Sequence, residues 1–102
     1  MVTINSPTTK GLVKISGKVA LLYVGQYRHK FLLQETDHSE VFLTDYASGC
    51  KFGSLTPIKI ANFKSGHQVT NRWAAIELIA RLVEKLGANN VNDILNSAPT
   101  LN

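Results

Sequence analysis

Residues 71–87 carry an apolar stripe too wide for one sheet face to cover. On a wheel of about 100° per residue, Glu77, Arg81, Glu84 and Lys85 gather in an arc of roughly 100°. Trp73, Ala75, Ile76, Leu78, Ile79, Ala80, Leu82, Val83 and Leu86 fill roughly 220° on the other side. The pattern predicts the main helix, capped by Thr70 or Asn71 and stopped by Gly87 in a left-handed C′ position. Glu77 lies four residues before Arg81, the favoured order for a helical ion pair. A sheet face covers about half such an arc, so the C-terminus or a second subunit must cover the rest. Trp73, Leu78 and Leu82 are the candidate interface residues, and a homodimer is the expectation.

Upstream the period changes from helical to two. Residues 10–46 read as a four-stranded β-meander. Gly11–Ser16 alternates, with Val13 and Ile15 on one face. Lys18–Val24 is apolar at both parities, as in a strand covered on both faces. Ser16-Gly17 between them is short enough for a hairpin turn, and Gly25-Gln26 is a second such turn. In Arg28–Glu35, His29, Phe31 and Leu33 oppose Arg28, Lys30, Leu32 and Gln34. A polar turn at 36–39 leads to a strand over Glu40–Tyr46. Short turns between consecutive strands require antiparallel pairing.

The remaining segments are less regular. Residues 1–8 are expected to be a frayed leader. Residues 47–55 form a Gly-containing loop or a bent continuation of the fourth strand. Residues 56–66 are read as a short helix, with Thr56 as N-cap, Pro57 at N1, a Leu55–Ile60 staple and Gly66 at C′. Ile58 and Ile60 flanking Lys59 leave a strand as the alternative. A short terminal helix over 91–96, capped by Asn90, would turn Val91, Ile94 and Leu95 onto the main helix. The fold class is therefore α+β: a four-stranded antiparallel meander with C-terminal helices packed on one face.

Composition narrows the function classes. A hydrophobic fraction of 44% over 102 residues is enough for a core without staples. The longest apolar run, Val19–Val24, is far too short to cross a bilayer, so no membrane partner is expected. The single cysteine, Cys50, excludes an intrachain disulfide and a cysteine-based zinc site, which favours a cytoplasmic location. The net charge of +4 is unevenly spread: residues 1–30 hold Lys10, Lys14, Lys18, Arg28 and Lys30 and no acid. If Val13, Ile15, Phe31 and Leu33 pack under the helix, then Lys14, Lys18, Arg28 and Lys30 share the opposite face, a candidate surface for nucleic acid or another polyanion. Stacking there would need aromatics; Tyr27 and Phe31 have core parity, leaving Phe42 and Tyr46.

Candidate chemistry is sparse. Glu35, Asp37, His38 and Glu40 crowd one turn, a pattern more typical of a solvated loop tip than of a cation site. No histidine has a helical partner at metal-ligand spacing, so neither a metal nor a cofactor is implied. His29 is expected to be half-buried. The segment 45–53 concentrates Asp45, Tyr46, Ser48, Cys50 and Lys51 between glycines. It can be read as an anion-binding loop or as a bulge and turn that the backbone needs. Cys50 beside Lys51 has no partner base selected by spacing, so no catalytic residue is assigned. Three readings follow: a non-enzymatic binding module with a basic sheet face; a small-molecule binder or enzyme with its pocket at the 45–53 loop and the Thr70-Asn71-Arg72 helix start; or a module that docks through its apolar helix.

Overall fold

Two-residue turns and a period of two build the first half of the chain. The structure is a computed structural model and describes residues 1–36 and 39–102. Five strands, β1 (Val2–Thr8), β2 (Gly11–Val24), β3 (Tyr27–Glu35), β4 (Val41–Asp45) and β5 (Lys51–Ser54), pair antiparallel in chain order. Three helices follow: α1 (Thr56–Lys64), α2 (Asn71–Leu86) and α3 (Ala88–Ser97). The α+β class and the antiparallel meander stand, with one more strand than the pattern predicts.

The residues expected to fray form β1, the two strands expected over 11–16 and 18–24 are one strand, and Lys51–Ser54 of the expected 47–55 loop is β5, paired back onto β4 after the 46–50 reversal. Val2–Thr8 pairs along its whole length with β2, from Val2 opposite Gly17 to Thr8 opposite Gly11. Ile4 and Ser6 turn inward and are buried, while Pro7 is tolerated because β1 is an edge strand. The hairpin turn therefore lies at Thr9-Lys10, not at Ser16-Gly17. Gly17 instead sits inside a continuous strand, where a Cβ would come 2.2 Å from the Leu33 carbonyl oxygen. That approach lets β2 serve two sheets: its first half pairs with β1, its second half with β3.

Two cores result. Ala20, Leu22, Val24, Phe31 and Leu43 face the helices and meet Ile58, Ala75, Ile79 and Val91. Phe31 is fully buried and meets Phe52 edge-on at 5.7 Å, and each such side chain contributes about 2 kcal/mol of burial. On the other face, Ile4 and Ile15 close over Leu32, with Val2 and Tyr46 packed at the margin. Ile15 thus packs away from the helices and Val13 stays exposed, correcting the expectation that both lie under the main helix.

The helices follow their local signals with informative exceptions. In α1 the N-cap is Leu55, and the Thr56 hydroxyl instead accepts from the Val41 amide at 3.1 Å, tying the helix to β4. Leu55 is buried but Ile60 is exposed, so no staple forms. In α2 the Thr70 hydroxyl accepts from the Trp73 amide at 3.0 Å, Gly87 ends the helix at φ +86°, and Arg81 donates to Glu77. α3 begins directly after Gly87, three residues before the predicted start. Asn90 is not its cap; its side chain donates to the Leu86 carbonyl at the end of α2. Val91 and Leu95 are buried, whereas Ile94 is exposed.

α3 and β5 supply part of the cover that the wide stripe demands. Leu78 fills the space over Gly53, where a Cβ would come 2.8 Å from its Cδ2, and Leu82 and Val83 pack against the core. Trp73 and Ile76 remain 44% and 49% exposed. Asn92 locks α3 to the sheet: its amide donates to the Val24 and Ala88 carbonyls at 3.0 and 2.9 Å, and its Oδ1 lies 2.5 Å from His29 Nε2.

Two substitutions test this frame by urea denaturation. Gly49 has φ +71° and a Cβ there would fall 1.9 Å from the Asn5 carbonyl oxygen, so Gly49→Ala should cost about 3 kcal/mol or more. Gly66→Ala, at φ +86° in open space, should cost only about 1 kcal/mol. Equal midpoints for the two variants would contradict the β1–loop contact. Asn92→Leu should cost about 2 kcal/mol by leaving buried polar groups unpaired; an unchanged midpoint would exclude Asn92 as the lock between α3 and the sheet.

Candidate functional site

Register decides where each cation points. Residues paired directly across an antiparallel sheet share a face. Lys18 pairs with Leu33, whereas Leu21 pairs with Lys30 and Tyr23 with Arg28. Lys18 is therefore on the opposite side of β2 from Arg28 and Lys30, while Lys14 lies on the β1-paired half of β2, opposite Asn5. The single basic face expected from Lys14, Lys18, Arg28 and Lys30 is split in two. The Gly25-Gln26 turn sets this register: it places Lys18 opposite Leu33, on the side of β2 that faces the helices.

The outer face keeps Arg28 and Lys30 and gains aromatics. Tyr23 is 64% exposed beside Arg28. The Tyr46 amide donates to the Lys30 carbonyl at 3.1 Å, and Lys30 Nζ lies 3.9 Å from the centre of the Tyr46 ring. Tyr27, despite its core parity, is at the hairpin turn and also 64% exposed. Beside these residues runs a polar cleft of about 470 Å³, lined by Arg28, His29, Lys30, Tyr46 and the C-terminal residues Asn96, Thr100 and Asn102. Asn102 fixes one wall: its side chain bonds the Asn5 amide and the Asn5 and Tyr46 carbonyls. Among the described residues, no ion pair engages Arg28 or Lys30.

Lys18 belongs to a different cleft, with Leu33, Glu35, Asn71 and Arg72. There Lys59 donates to Asn71 Oδ1 at 2.5 Å, and the Asn71 amide donates to Glu35 at 2.9 Å, so both helix-start polar groups are spoken for. The Thr70 hydroxyl is occupied by its cap. This region and the 45–53 loop line separate clefts, so the structure does not bring together the two halves of the expected small-molecule pocket.

The 45–53 loop spends its polar groups on itself. Asp45 is buried and accepts from the Ser48 hydroxyl at 2.6 Å and the Ser48 amide at 3.2 Å. Ser48 Oγ in turn accepts from the Cys50 amide, and the Gly49 amide donates to the Asp45 carbonyl. Gly49 is pressed against Asn5, and its carbonyl accepts from Ser6. A register shift between Leu43 and Thr44 precedes the turn, so the glycines serve a bulge and a tight reversal. Cys50 is exposed; Lys51 lies 4.1 Å above the Phe42 ring, on the outer face but across the β1–β2 hairpin from Lys30.

His29 is half-buried and bonded to Asn92, as its parity indicates. Asp37 and His38 of the acidic turn lie outside the described residues, and the described residues contain no cluster of metal-ligating groups. No helix among them is long and apolar enough to cross a membrane. Sequence reasoning missed Tyr23, Asn92 and Asn102. For Tyr23 a signal was present, since a two-residue turn at Gly25-Gln26 sets Tyr23 opposite Arg28. For the two asparagines none was, because their tertiary partners lie 56 to 97 residues away. Comparison with known proteins finds no matching family model, no matching curated protein and no matching solved structure.

Proposed function

We propose that this chain is a non-enzymatic binding module that takes single-stranded nucleic acid on the outer face of β2 and β3. The observation that carries the reading is the cross-strand pairing of exposed Tyr23 with Arg28 next to Lys30, with Tyr46 beneath it. Arg28 and Lys30 meet phosphates, and Tyr23 supplies a ring on which a base stacks. Such a surface favours extended single strands, whose bases are unpaired and free to lie flat on an aromatic. A net charge of +4 supports approach to a polyanion. Lys18, on the other side of β2, contributes long-range attraction and no contact.

Fluorescence anisotropy with a labelled oligothymidine tests this. Affinity should fall steeply between about 50 and 200 mM salt, with a slope of about −0.7 per phosphate contacted. The double variant R28E/K30E should lose binding by about a hundredfold, and Tyr23→Ala by about tenfold. K18E/K85E, with the same change in net charge on the helix side of the molecule, should lose far less than R28E/K30E. Salt-independent affinity, or equal losses in the two double variants, would reject the outer face as the site.

A further inference from the structure

We propose that β2 pairs edge to edge, antiparallel, with β2 of a second copy of this chain, over Lys18–Val24. β1 covers β2 only as far as Gly17, which pairs with Val2. Beyond that point β3 lies on one side of β2, and on the other no backbone hydrogen bond is formed among the described residues. The Arg72 guanidinium does reach this edge, donating to the Leu21 carbonyl at 3.2 Å. That bond shows which groups point outward: in an antiparallel ladder, residues alternate between the two sides, so Val19, Leu21 and Tyr23 present their N–H and C=O groups to the open edge. A row of free donors and acceptors on an apolar strand is a template for another strand.

The segment's own sequence argues for a second copy as the occupant. Antiparallel self-pairing about Leu21 sets Val19 against Tyr23 twice, Ala20 against Leu22 twice and Leu21 against itself. Lys18 falls opposite Val24, so no like charges meet in the ladder. This is the self-complementarity that a twofold interface requires. The helix layer agrees. Ile76 lies one turn beyond Arg72 on the flank of α2 that overhangs this edge. When two sheets join at an edge, helices on the same face become neighbours, which brings Ile76 and Trp73 toward their counterparts. Val19, Leu21, Trp73 and Ile76 are 38%, 43%, 44% and 49% exposed. Together they offer on the order of 400 Å² of surface before the backbone edge and the flanking Lys18 and Arg72 are counted, against about 800 Å² per partner in a stable interface. Arg72 guards the Leu21 acceptor in the isolated chain and swings aside when the partner's N–H arrives.

The test is sedimentation velocity from about 1 to 100 μM without nucleic acid, with a chemical cross-link as second readout. The wild type should move from the 11.2 kDa chain toward twice that mass as concentration rises. Leu21→Lys and Ile76→Glu should each shift the equilibrium to monomer by at least tenfold. R28E/K30E should still associate, which separates this inference from nucleic-acid binding. In a Cys50→Ser background, Leu21→Cys should form a disulfide-linked dimer on mild oxidation, because opposed residues in an antiparallel pair lie within disulfide reach; Val13→Cys, exposed on the β1-paired half of β2, should not. A single 11.2 kDa species at every concentration, or a dimer that survives Leu21→Lys and cross-links no better at 21 than at 13, would overturn the pairing.

Discussion

Gly17 and the Leu33 carbonyl approach so closely that no side chain fits between them. This contact lets one fourteen-residue strand leave the sheet it shares with β3 and join β1 across the outer face. Without it, Ile4 and Ile15 would have no route to Leu32, and Ser6 none to Gly49. The close approach therefore decides how much of the outer face is covered by the hairpin and how much is left open. The open part holds Arg28, Lys30 and Tyr23; the covered part holds Leu32.

Coverage on the helix side is shared rather than complete. The sheet takes Ala74, Ala75 and Ile79 into the core, β5 takes Leu78 by offering a glycine, and α3 adds Val91 and Leu95. Two buried or strategically placed asparagines then hold the ends. Asn92 ties α3 to the β2–β3 turn through Val24 and His29, and Asn102 ties the last residues to β1 and the 46–50 turn. Both replace water on backbone groups that the strands cannot pair themselves, which is the common fate of buried polar side chains. The stripe that stays uncovered lies on the same flank as the open edge of β2. Edge and stripe are therefore one surface.

The 45–53 segment shows how an unusual composition can serve geometry alone. Its hydroxyls, glycines and carboxylate look like a ligand loop when read in a line. In space, Asp45, Ser48 and Gly49 satisfy one another and the backbone of a five-residue reversal, and Gly49 is needed because β1 lies against it. An Asp and a Ser three residues apart form a local hydrogen-bonded turn whether or not a ligand is near.

Local chemistry was legible in the sequence. The bounds of α2, its Thr70 cap and Gly87 stop, the Gly25-Gln26 turn and the parity of His29 depend on neighbours within a few residues, and each is where the pattern places it. Tertiary structure decided the rest. β1 has too few apolar residues to announce itself, and becomes a strand only because β2 offers it an edge. Ser16-Gly17 has the chemistry of a turn, yet the chain runs straight through it because the Leu33 backbone lies across the strand at that point. That one difference carries β2 past the end of β3 and onto β1, so the β1–β2 hairpin places Lys14, whereas the Gly25-Gln26 turn sets Lys18 opposite Leu33. Periodicity says how residues alternate along a strand; only the packing of distant segments says which side of the alternation meets water.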